Sequence, residues 1–94
     1  MREKEIEKQL VTAVRKHGGL CPKWISPGLS GVPDRLILLP EGRMAFAELK
    51  ASGKTLRPLQ LMRKAQLEQL GFQVFVIDSI QQIGGVLDEI DRTL

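Results

Sequence analysis

Several residue types that often announce a function are scarce here. The single cysteine, Cys21, excludes an intrachain disulfide. The single histidine, His17, cannot complete a zinc site with that cysteine unless carboxylates or a second chain contribute. Tyrosine is absent, and aromatic residues make up only 4% of the chain. Apolar runs are as short as Leu36–Leu39, far from the length needed to span a membrane. The opening Met-Arg-Glu-Lys-Glu-Ile-Glu-Lys is too polar for a signal peptide. Ser26, Ser30 and Ser52 have no base patterned beside them, so a serine hydrolase lacks its proton acceptor. These features point to a soluble protein of the cytoplasm.

What is present is an ordinary globular balance, with 43% apolar and 27% charged residues in 94. That length predicts a single domain over 1–94 with modest stability. The net charge of +3 suits a polyanionic partner, and its distribution is more telling. No acid occurs between Leu49 and Leu67, where Lys50, Lys54, Arg57, Arg63 and Lys64 fall. The C-terminal stretch from Asp78 is acidic by contrast.

Periodicity predicts a helix over 3–17, with Ile6, Leu10, Ala13 and Val14 on one face and Gly18-Gly19 ending it. A short strand is expected over 20–26, then a loop of turn formers to Pro33. Strands at 34–39 and 43–50, joined by Pro40-Glu41-Gly42, read as an antiparallel hairpin. Pro58 opens a helix to about Leu70, with Leu59, Met62 and Leu70 on its apolar side and Ala65 and Leu67 widening it. A strand over 73–78 and a last helix over about 80–93, capped by Ser79, complete the order α-β-β-β-α-β-α. This is an α/β fold with a mixed central sheet.

The chemistry lies in the hairpin. Residues two apart on a strand share a face, so Glu48 and Lys50 project together. A turn near residue 41 brings Asp34 opposite Glu48. Two carboxylates across a ladder repel, unless a divalent cation lies between them. A metal held there could activate water and neutralise charge on a scissile phosphate, and Lys50 could orient the attacking water or stabilise that charge. Taken alone, an acid-X-lysine triplet is a weak signal, since alternating charges at a strand end are usually solvated.

The surrounding residues add to it. Gly31-Val32-Pro33-Asp34 enters one strand, and Ala45-Phe46-Ala47-Glu48-Leu49-Lys50 ends the next. With the acidic first helix, Gly18-Gly19, Leu59-Gln60 and Gly71-Phe72-Gln73-Val74, this ordered set resembles a stand-alone VRR-NUC domain of the PD-(D/E)XK nuclease superfamily. The resemblance covers most of the chain. It implies a three-layer, restriction-endonuclease-type fold and a metal-dependent DNA endonuclease. Asp34, Glu48 and the Leu49 carbonyl would ligate Mg²⁺, with Mn²⁺ able to substitute, and Lys50 would be catalytic. It also implies a further acid from the first helix, for which Glu7 matches best, with Glu3 and Glu5 as rivals. Gln60 would contact a phosphate or water near the site. A homodimer cutting branched DNA such as four-way junctions, in a bacterial or phage-infected cell, is the implied setting.

Other residues carry simpler expectations. Lys54 and Arg57 could follow substrate phosphates; Arg63 and Lys64 fit that role less well. Arg35 should face away from Asp34 and form a structural salt bridge. His17 suits a helix C-terminal cap, Cys21 a small buried hydrophobe, and Trp24 and Phe72 core or dimer packing. The competing functions are a DNA-binding module without catalysis and a structural subunit that keeps a nuclease fold.

Overall fold

The computed structural model describes residues 1–93. Helix α1 (Glu3–Lys16) buries Ile6, Leu10 and Val14 completely, one turn apart. Glu3 and Glu5 in its first turn, and Arg15 and Lys16 in its last, suit the helix dipole. His17 closes the helix, and its Nε2 lies 2.5 Å from Asp91 Oδ2. Strands β1 (Arg35–Leu38) and β2 (Met44–Leu49) pair antiparallel across a short turn, Pro40–Gly42. Helix α2 (Pro58–Gln69) leads to β3 (Val74–Ile77), which pairs parallel with β2, and α3 (Gln82–Asp91) follows. The sheet order β1-β2-β3 puts β2 at the centre.

The strand expected over 20–26 is reduced to two isolated bridges, Leu20 to Leu38 and Lys23 to Arg35. This segment still runs along β1: Leu20 exchanges both hydrogen bonds with Leu38, and the Trp24 N–H donates to the Asp34 carbonyl. Pro22 accepts from the Leu36 N–H but has none to donate, so the ladder breaks there. The α/β class and the mixed sheet are as expected, with three strands in place of four.

Alternation along β2 divides the molecule. Ala45, Ala47 and Leu49 face one side with Ile37 and Ile77, and pack against α1 and α3 in the main core. Met44 and Phe46 face the other, where Leu36, Val74 and Trp24 meet Leu67 of α2. Trp24 stacks on Phe46 at 4.9 Å between ring centroids, and Phe72 meets the same ring edge-on at 5.6 Å. Cys21 is buried in the main core. Helix α2 departs from expectation in part: Leu67, at the edge of the expected apolar side, is its one buried residue, while Leu59, Met62 and Leu70 are exposed. The face beneath its first turns is polar, because the strand residues there are the charged ones discussed next. At α3, the Gln82 side chain, and not Ser79, caps the entry by accepting the Asp78 and Ser79 N–H groups.

Candidate active site

The β1–β2 register pairs Arg35 with Ala47. Continued one step, it sets Asp34 across from Glu48, on the α2 side of the sheet. Asp34 turns one oxygen to the Leu49 N–H at 2.9 Å. A strand residue directs its N–H and C=O to the same neighbour, so the Leu49 carbonyl also faces Asp34. Glu48 is only 4% exposed. Its Oε2 accepts a 2.8 Å hydrogen bond from Gln60 Nε2 and lies 3.7 Å from Lys50 Nζ. The structure therefore brings Asp34, Glu48 and Lys50 together, as the hairpin predicted, with the Leu49 backbone beside them.

The electrostatics of the pair are unfavourable. Burial pushes the Glu48 carboxyl up to about 7, the Asp34 charge adds to the rise, and Lys50 opposes it. Burial also raises Asp34, against the Leu49 N–H, which lowers it. Among the described residues no group of three or more His, Cys, Asp or Glu forms a metal-holding cluster. The donors available are thus two carboxylates and one carbonyl, all hard oxygens. That set fits Mg²⁺, which keeps several waters and needs few protein ligands.

Glu7 reaches the site's edge and is engaged there. With Glu3, Lys23 and Asp34 it lines a cleft of about 310 Å³. Its Oε2 accepts a 2.7 Å bond from Arg35 Nε, and Arg35 Nη1 donates to the Cys21 carbonyl at 2.6 Å. Arg35 is therefore the structural ion pair expected from its face of the strand. Lys54 and Arg57 are exposed on the loop and cap that follow β2. Arg63 and Lys64 have protein partners, the Ser30 carbonyl with Gln66 and Glu68 respectively.

Gln60 lies beside the site, where protein groups take both ends of its amide. Its Oε1 accepts the Arg57 N–H at the start of α2, and its amide nitrogen grips Glu48. The spacing Arg57-X-X-Gln60 is that of a capping box, the one sequence signal for this role. Replacing Gln60 with Ala should lower stability by about 1–2 kcal/mol in urea denaturation. Gln60→Glu should lose more at pH 8, where a further carboxylate would face Glu48.

No family model matches the chain. It is 48% identical over 91 residues, 97% of both chains, to "Putative nuclease p44" of Acyrthosiphon pisum secondary endosymbiont phage 1. A solved structure described as "VRR_NUC domain" superposes with a TM-score of 0.85 at 29% identity, covering 94% of this chain and 97% of that one. Sequence kinship along nearly the whole length, and a fold shared over nearly all of both chains, lead to one conclusion: the chain belongs to the VRR-NUC family.

Proposed function

We propose that this protein is a Mg²⁺-dependent endonuclease that hydrolyses phosphodiester bonds in DNA, with Asp34, Glu48 and Lys50 as its catalytic residues. The observation that carries the reading is the Asp34–Glu48 pair. A fold gains nothing from burying a carboxylate beside another one, whereas an enzyme that must hold a cation does. The phage relative described as a nuclease supports the same reading.

Asp34, Glu48 and the Leu49 carbonyl would hold the ion, which supplies Lewis-acid polarisation of the phosphate and a lowered pKa for water. The protein's own part is positioning. Gln60 fixes one Glu48 oxygen, leaving the other free to turn toward Asp34. The Leu49 N–H orients Asp34. Lys50, whose side chain is 13% exposed, places an ammonium beside the carboxylates, where it orients the attacking water and offsets charge building on phosphorus. Glu7, tied to Arg35, gives the cleft a further acid at its rim. Lys54 and Arg57 extend positive charge outward from the site for the DNA backbone.

The same proposal includes a homodimer and a preference for branched DNA, acting in the cytoplasm of a bacterial or phage-infected cell. Leu59, Leu61 and Met62 on α2 are each 44–54% exposed, an apolar surface that a second copy would cover. No helix among the described residues is long and apolar enough to cross a membrane.

The test is cleavage of plasmid and four-way junction DNA with Mg²⁺ or EDTA, beside an Asp34→Asn variant. Cutting should need the metal and fall about a hundredfold to a thousandfold in the variant. Tight DNA binding with no cutting under any divalent ion would leave the binding module in its place.

A further inference from the structure

One wall of the cleft is the irregular segment beside β1, whose residues have been given no role in the chemistry above. Lys23 bridges to Arg35 and lines the cleft with Glu3, Glu7 and Asp34. Trp24 turns inward onto Phe46 and anchors the segment. Ile25 follows at the rim of the same cleft and is 81% exposed, the most of any large apolar side chain in the described residues. A single exposed isoleucine is ordinary on a surface. One standing beside a lysine at the mouth of a phosphate-cleaving cleft, on a segment pinned by a stacked tryptophan, is not.

Phosphates along a DNA strand are charged, and the base between them offers an apolar face once it is unstacked. A cation and an apolar wedge two residues apart match that pairing: the ammonium takes a phosphate next to the scissile one, and the wedge covers the open base. We infer that Lys23 and Ile25 form a specificity-determining edge that selects DNA in which a base next to the cut is already unstacked, at a branch, flap or frayed end. This rests on the nuclease reading for its substrate. In an intact duplex the base stays in the stack, so the isoleucine has nothing to cover and must pay for unstacking.

The test uses the full chain and a matched pair of DNAs, one linear duplex and one branched at a single 2-aminopurine. Binding is followed in Ca²⁺ by 2-aminopurine fluorescence, and cutting is followed in Mg²⁺. Wild-type protein should change the fluorescence of the branched DNA as the side chain covers the open base, and Ile25→Ser should not. The branched-to-linear ratio of kcat/KM should fall about tenfold in Ile25→Ser. Lys23→Ala should weaken binding of the branched DNA and lower the salt dependence by about one phosphate contact. Equal ratios in wild type and Ile25→Ser, with equal fluorescence, would overturn the inference. A fluorescence change lost in Ile25→Ser, with no cutting by wild type, would uphold the edge while removing the nuclease reading.

Discussion

Glu48→Gln should abolish cleavage and at the same time make the metal-free protein more stable at pH 8. Activity is expected to fall about a thousandfold, because the amide offers the cation no charge. Stability moves the other way. The Glu48 carboxyl is nearly out of solvent and stands at about 7 in the folded chain, against 4.5 for the ordinary group. A raised folded value means that the native state holds the proton longer than the unfolded one does. Its contribution is therefore fully present below about pH 4.5 and is lost as pH rises through about 7. At about 1.4 kcal/mol for each pH unit, the loss is on the order of 3 kcal/mol. Asp34, also raised, acts in the same direction. Urea denaturation in EDTA at pH 5 and pH 8 measures this. Wild type should weaken across that window, and Glu48→Gln should weaken less and exceed wild type at pH 8 by about 1–3 kcal/mol. A variant less stable than wild type at both pH values would show that the buried carboxylate is not under repulsion. Mg²⁺ should reverse the pH trend in wild type alone, since the ion binds the ionised pair.

Gly31→Ala should be the most damaging small substitution in the loop before β1. Gly31 has φ +75°, in the left-handed region where a Cβ costs about 1–2 kcal/mol. An added Cβ would also lie 2.8 Å from both Cγ and the carbonyl oxygen of Leu59, and the latter is backbone that cannot swing aside. Together these predict a loss of about 2–4 kcal/mol, a large share of the total for so small a domain. The damage should also reach the site. Residue 31 leads directly into Asp34, and Leu59 precedes Gln60, so pushing the loop off α2 displaces a carboxylate and the partner of the other. Gly28→Ala is the control, because a Cβ there meets nothing within 4 Å. Equal melting temperatures and equal cleavage for the two variants would refute the argument.

The sequence revealed the hairpin geometry of the candidate site better than it revealed the packing. The register of the hairpin follows from its turn and from alternation, both local properties, so the approach of Asp34 to Glu48 and the shared face of Glu48 and Lys50 could be read directly. Helix α1 was readable for the same reason, since Ile6, Leu10 and Val14 report one face. The strand expected over 20–26 failed because alternation does not register a missing donor at Pro22. The apolar face assigned to α2 failed for a non-local reason. Leu59 and Met62 have helical spacing, but the sheet beneath that end of the helix is occupied by charged side chains, and no property of residues 58–70 shows this. The pairing of Glu7 with Arg35 joins residues 28 apart and depends on how α1 crosses β1.

Helix α2 is fastened to the sheet by one buried leucine near its C-terminal end, while its N-terminal end rests on the clasp between Gln60 and Glu48. Losing that clasp would therefore be felt twice, as a looser seat for the front of the helix and as a Glu48 carboxyl more open to water, so one glutamine side chain joins the docking of a helix to the ionisation of an acid.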